Sequence, residues 1–400
     1  MKIQAADVFR VTLPFRFAFG HSLASRASST NLIVRVRLED GTVGFGEGIP
    51  RDYVTGESLD GAAEAVSKLY APRLLNLNVS SPGAVLSFLA HMFEDLGLGS
   101  KPRGASWCAL ELAVLDAVAR AHRMSVATWL GPVQLAPARY GAVVPFAGPK
   151  ALTAILLFYK LYGFETIKLK VGSNLQDDLA RLRLTRQVMG PEAILRVDAN
   201  CAWNVDQALR AAERFRTLGV VSIEQPLPAD DFEGLARLTA SIPEEVVVDE
   251  SLCTLAQAEV LAASRACGGF NIRLSKVGGI LAARRMVALA RQHGIRCHMG
   301  AQVGESGILS AAGRTLACVE GPFENLEGSD NRFLLKEDLT RENLTVGFRG
   351  YGKLLAGEGF GVTVLSEKLA NFGLVCPSPA NRPGKAISST AARARQGEAN

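Results

Sequence analysis

No apolar run in the 400-residue chain approaches the ~20 residues that a membrane helix needs. The longest candidate, Ala154 to Tyr159 with its neighbours, is far too short, so a membrane partner is not expected. The first residues, Met1-Lys2-Ile3-Gln4, lack the apolar core and cleavage site of a secretory signal, which predicts a cytoplasmic location. No Cys-x-x-Cys pair occurs among the seven cysteines (108, 201, 253, 267, 297, 318 and 376), so they read as reduced thiols and not as a disulfide or zinc framework. Charge of one sign is not in excess: 44 basic against 39 acidic residues give +5, too even for a nucleic-acid partner. Aromatics are few, at 7%, yet 48% of residues are hydrophobic, ample to build a core and to exclude disorder as the main state.

What is present divides the chain. Residues 1–135 read as an α+β capping domain. Ile3 to Leu13 and Asn31 to Leu38 are β-branched strands, Glu39-Asp40-Gly41 is a hairpin turn, and Thr42 to Glu47 is the return strand. Gly20 to Thr30 reads as a Gly/Ser-rich loop between the first two strands, and Ala109 to Ala121 as an amphipathic helix. From 136 to 335 one unit recurs, an amphipathic helix, a glycine and an apolar strand, with glycines at 163, 190, 219 and 294. Glycine suits the left-handed position beyond a helix end. Strands at this spacing, each fed by a helix, predict a parallel α/β fold; about eight of them fit a (β/α)8 barrel. A doubly wound sheet would need a Gly-rich phosphate turn after its first strand, which is lacking. Residues 336–376 are expected to return to the cap, and 377–400, rich in Pro, Ser, Ala and Arg, to form a disordered tail.

In a parallel barrel, reactive groups stand at the C-terminal strand ends. Those ends carry Lys168 and Lys170, then Asp198 and Asn200, then Glu224, then Asp249 with Glu250, then Asn271, Arg273, Ser275 and Lys276. Three bare carboxylates brought together would repel unless a divalent cation lies between them, and hard oxygen donors suit Mg²⁺. The alternative is three separate acids capping the helices that follow. Lys168 and Lys170 are two apart and leave the strand on one face; crowded ammonium groups lower each other's pKa, which suits a general base.

Taken together, Lys168-Leu169-Lys170, Asp198-Ala199-Asn200, Glu224-Gln225-Pro226, Asp249-Glu250-Ser251 and Lys276-Val277-Gly278-Gly279 resemble the enolase superfamily, in its muconate-lactonizing and dipeptide-epimerase branch. Gly44-Phe45-Gly46-Glu47, Tyr53 to Glu57 and Ala109 to Asp116 resemble the cap of that family. The resemblance implies that Asp198, Glu224 and Asp249 hold Mg²⁺ (or Mn²⁺), that the ion binds the carboxylate of a small-molecule substrate, that Lys170 removes the α-proton, and that Lys168 helps stabilise the enediolate. It implies cap loops at Gly20–Thr30 and Arg51–Glu57 that select substrate, with His21 and Tyr53 as contacts, and a homo-oligomer, since relatives are often multimeric. Asn200, Glu250, His298, Glu305, Asn325 and Glu327 complete the expected substrate contacts, the last two in place of the Asp-x-Asp that binds an ammonium in dipeptide epimerases.

One departure changes the expected outcome. The second lysine of two-base members, on the sixth barrel strand, is here Arg273, a poor base; Lys276, three residues on, should by strand parity point the other way. The expectation is therefore one-base chemistry by Lys170, as cycloisomerisation or β-elimination. The rivals are an epimerase of N-substituted amino acids or dipeptides that uses Arg273 or Lys276 unusually, and a barrel that binds without turnover.

Overall fold

The computed structural model describes residues 1–21, 24–134 and 137–376, with backbone alone at 18–21, 24, 25 and 374–376. The segment read as a tail, 377–400, lies outside the described residues. Among the described residues no helix is long and apolar enough to cross a membrane.

The cap is a four-stranded antiparallel sheet ordered Gly373–Cys376, Ile3–His21, Ala24–Leu38, Val43–Gly48. The turn at 39–41 closes with Leu38 N–H on Thr42 O at 2.9 Å, and Gly41 takes a φ of +87°. In the span expected to be a loop, Gly20–Thr30, the described residues 20–21 and 24–30 are instead strand: the first two strands run on as a hairpin arm that pairs Phe19 with Arg26, Gly20 with Ser25 and His21 with Ala24. Serine and threonine do not prevent pairing. The one irregularity in the arm lies between Pro14 and Phe19, where proline has no N–H for the ladder. Alternate residues of the third strand, Gly44, Gly46 and Gly48, let helix Gly104–Ala121 lie directly on the sheet: a Cβ at Gly46 would stand 2.1 Å from Ala109 O. The last described segment, 366–376, adds a helix and the fourth strand to this sheet's edge.

The barrel strands are Ala142–Val144, Thr166–Lys170, Ile194–Asp198, Val220–Glu224, Glu245–Val248, Gly269–Ile272, Arg296–Met299 and Asn325–Leu326, all parallel and neighbouring in chain order. A parallel bridge between Tyr140 and Leu326 joins the first strand's edge to the last and closes the ring. Glycines 163, 190, 219 and 294 take φ values of +83°, +95°, +73° and +67° at the ends of the preceding helices. Strand alternation sorts the side chains. Ile167, Leu169, Leu195, Val197 and Ile223 are fully buried in the apolar core, each worth ~1.5–3 kcal/mol of burial. Lys168, Lys170, Arg196, Asp198 and Glu224 take the alternate positions, which face the lumen.

Candidate active site

The second, third and fourth barrel strands are in register at their ends, where Lys170 lies beside Asp198 and Asp198 beside Glu224. Lys170 Nζ donates to Asp198 Oδ2 at 2.6 Å and to Asn200 Oδ1 at 2.8 Å. Lys168 Nζ donates to both oxygens of Glu224, at 3.0 and 2.9 Å, and to Glu327 Oε2, and lies 3.6 Å from Asp198. Asp198, Glu224 and Asp249 are fully buried. They are linked through shared cations: Arg273 pairs with Asp249 Oδ2 and lies 3.6 Å from Glu224 Oε1.

Two lysines depart from the sequence expectation. Lys276 does not point away. The sixth strand stops at Ile272 and a short helix, Leu274–Val277, begins, so strand parity no longer applies. Its ammonium is fully buried and donates to Asp249 O, Asp249 Oδ1 and Asn271 O at 2.6, 2.8 and 2.9 Å, which makes it a support for Asp249 and not a group open to substrate. Lys168 is not a lysine of lowered pKa: burial alone would lower it, but Glu224, Glu327 and Asp198 outweigh burial and hold it above its usual value. Glu224 is likewise held well below the carboxylate range; burial opposes this, but Lys168, Arg196 and Arg273 prevail.

The donor set suits a hard divalent cation: three buried carboxylates end successive strands, and the buried Glu250 Oε2 beside them makes no hydrogen bond. The acids' nearest partners are lysine and arginine cations. Among the described residues no three acid, histidine or cysteine side chains converge closely enough to ligate one ion as they stand.

Several expected contacts gather here. Asn200, at a φ of +44°, donates through Nδ2 to Glu250 Oε1 at 3.1 Å. Burial, with Asp249 and Asp198 nearby, pushes the Glu250 carboxyl up to about 8. Glu305 is pushed up to about 8 by burial and accepts from Gln302 N–H at 2.7 Å. Glu327 closes the ring from the eighth strand. Others do not gather. His298 is in register with Asn271 and Asn325, but its Nε2 lies 3.2 Å from Glu245 Oε2, on the first residue of the fifth strand, and it does not border the cavity onto which the lysines open. Tyr53 is 42% exposed beneath the Arg26 guanidinium and does not border the cavity onto which the lysines open. The side chain of His21 lies outside the described residues.

The strand-end pattern of the sequence gives no sign of a role for Arg196 or Gln225, and shows Asn271 only as one of the strand-end groups. Arg196 is buried and donates to Glu327 Oε1 at 2.8 Å, to Ser222 Oγ at 3.1 Å and to Glu224 Oε2 at 3.3 Å. With the Asn325 amide oxygen turned toward it, Arg196 also donates to Asn325 at 2.6 and 2.9 Å. The parity rule that singled out Lys168 and Lys170 applies equally to Arg196 and Asp198, and would have found it. Asn271 Nδ2 donates to Glu224 Oε1 at 2.8 Å. Gln225, at a φ of +37°, accepts through Oε1 from the N–H groups of Asp249 and Ser251, fixing the turn that carries Asp249.

Lys168, Lys170, Arg273 and Glu327 open onto one cavity of about 630 Å³. The polar cluster can therefore meet a small molecule.

Two family models match the chain: "Mandelate racemase / muconate lactonizing enzyme, N-terminal domain" over residues 3–131 and "Enolase C-terminal domain-like" over 153–368. The aromatic dipeptide epimerase of Herpetosiphon aurantiacus is 31% identical over 334 residues, 81% of this chain and 89% of that protein. The muconate lactonizing enzyme of Pseudomonas fluorescens, solved with muconolactone, superposes with a TM-score of 0.85 at 26% identity, covering 93% of this chain and 99% of that one. The dipeptide epimerase of Enterococcus faecalis, solved with Mg and the dipeptide L-Leu-L-Tyr, gives 0.82 at 25% identity, covering 91% and 100%. The closed ring of eight strands, its cap and its lumenal lysines and acids thus agree with both models, and the chain is an enzyme of the mandelate racemase/muconate lactonizing enzyme family of the enolase superfamily.

Proposed function

We propose that this enzyme moves the proton α to a substrate carboxylate through Lys170 alone, with no second base on the opposite face: in β-elimination Lys170 takes the α-proton and the β leaving group departs with its electron pair, and in cycloisomerisation a second carboxylate adds at the β-carbon and the Lys170 ammonium then gives its proton to the α-carbon. The observation that carries the proposal is Arg273. At the sixth-strand position where two-base members carry lysine, it is a guanidinium paired with Asp249 and 3.6 Å from Glu224. Burial opposes its charge, but Asp249 and Glu224 hold its pKa above even the usual arginine value, so it does not take up a proton.

Asp198, Glu224 and Asp249 are the residues that would hold Mg²⁺, or Mn²⁺ in its place. When bound, the ion supplies positive charge beside a substrate carboxylate that becomes more negative as the α-proton leaves. The chain's own residues do the rest. Lys170 takes the proton at Nζ, and its contacts with Asp198 and Asn200 are those of the ammonium that results. Lys168, fixed by Glu224 and Glu327, is a permanent cation beside the developing charge. Lys276 and Gln225 hold Asp249 in place, and Asn271 holds Glu224.

The names of the epimerase relatives favour a rival outcome, inversion at the α-carbon. Turnover in D₂O with Mg²⁺, across diene dicarboxylates, β-substituted carboxylates, N-acyl amino acids and dipeptides, separates the two. The proposal expects a product with a new ring or double bond and recovered substrate of unchanged configuration. Inverted substrate carrying deuterium at the α-carbon, from either enantiomer, overturns it.

A further inference from the structure

The cavity that opens onto Lys168 and Lys170 is mostly carbon. Its wall is formed by Val143 on the first barrel strand, Ile155 and Phe158 on helix Pro149–Tyr162, then Phe164, Phe333 and Val346. The polar ends of the neighbouring aromatics are turned into the wall: Tyr159 Oη donates to Val143 O at 3.0 Å and Tyr162 Oη to Val346 O at 2.8 Å. Phe333 stands edge-on to Phe158 and Tyr162, with ring centroids 5.7 and 5.6 Å apart, which fixes the rings against one another. A volume of about 630 Å³ is within the range that takes a drug-sized ligand, larger than the reacting carboxylate and its α-carbon require.

The eighth strand offers no free oxygen for an ammonium; the buried Gln302 amide borders the cavity without a partner but carries no charge. Both Glu327 oxygens are engaged, one by Lys168 and one by Arg196, and the Asn325 oxygen is committed to Arg196. Asp330 also borders the cavity, but Arg16 and Arg332 border it too, so the lining carries more positive than negative charge.

We propose that this cavity seats the tail of the substrate, and that the substrate is a carboxylate with a bulky apolar far end and no free ammonium beside the reacting carbon. The carboxylate lies at the Lys168–Lys170 end and the tail between Ile155, Phe158 and Phe333. This rests on the reading of the lysine end as the carboxylate site, but is independent of whether the outcome is cyclisation, elimination or inversion.

Calorimetry on the full chain with Mg²⁺ tests it by binding alone. Across straight-chain carboxylates from butanoate to decanoate, affinity should rise about fourfold for each methylene buried. N-acetyl-alanyl-phenylalanine should bind at least tenfold more tightly than alanyl-phenylalanine, which differs by the free ammonium. Ile155→Trp, which fills the cavity from one wall, should remove the gain for the longer acids and leave butanoate affinity within twofold; Phe333→Ala is the second variant and should weaken decanoate and not butanoate. An affinity that does not change with tail length overturns the proposal, as does tighter binding of the free dipeptide. Tail-dependent binding together with inversion in D₂O would leave this inference standing and remove the one-base reading.

Discussion

Replacing Arg273 by lysine probes the one-base reading where it is most exposed. The guanidinium holds Asp249 and reaches toward Glu224 at 3.6 Å. Lysine keeps the charge but loses the planar fork, so one charge-assisted contact is lost. Such a contact is worth ~1.5–3 kcal/mol. If it is felt in the transition state, kcat/KM for the native reaction falls roughly 10- to 150-fold. Lysine also brings a group that can exchange a proton, on the side of the site where the wild type has none. In D₂O, R273K should therefore gain slow deuterium incorporation with inversion at the α-carbon, read by NMR and chiral chromatography, while the wild type shows none. Arg273→Met should be worse than lysine, because a buried carboxylate then loses a partner outright, at ~3–5 kcal/mol. Native activity undiminished in R273K, or inversion already present in the wild type, would refute the reasoning.

Lys170→Ala should lower kcat by ~10²–10⁴-fold, the usual worth of a general base, while substrate affinity measured by calorimetry changes only severalfold. Arg196→Met takes one partner each from Glu327 and Glu224, which both keep Lys168, and should cost ~1.5–3 kcal/mol of stability in urea titration. Glu111 accepts from the Ile280 and Leu281 N–H groups at 2.6 and 3.2 Å, joining cap to barrel, and burial pushes its carboxyl from 4.5 up to about 7. An acid whose folded pKa lies above its unfolded value contributes fully below about pH 4.5 and loses that contribution as pH rises through about 7. Glu111→Gln keeps the acceptor and removes the titration, so across those pH values the unfolding free energy from urea titration should shift in favour of the variant by ~3 kcal/mol.

Much of this molecule could be read from local rules. Each helix–glycine–strand unit states its own stop, and four such glycines have positive φ. The period of two on strands separates Ile167 and Leu169 from Lys168 and Lys170, because one face of a barrel strand meets helices and the other the lumen. The failures have equally local causes. Strand parity holds only to Ile272, where the strand ends, so it gives the wrong direction for Lys276. Glycine and serine at 20–30 suggest a loop, although composition does not forbid a hairpin arm whose pairing the long first strand supplies. Arg196 is not marked by a strand end, because it stands two residues before one. The cavity had no sequence signal: its wall comes from the first barrel strand, its helix and residues 333 and 346, which meet only when the ring closes.

The central claim is that Asp198, Glu224 and Asp249 grip one divalent ion beside Lys170. Anomalous diffraction from crystals grown with Mn²⁺ measures this directly. The account predicts a single strong peak bonded to oxygens of all three carboxylates, with Lys170 Nζ facing the cavity beside it. A peak elsewhere in the molecule, or Mn²⁺ held by other residues while Arg273 and Lys276 keep Asp249 to themselves, would contradict it.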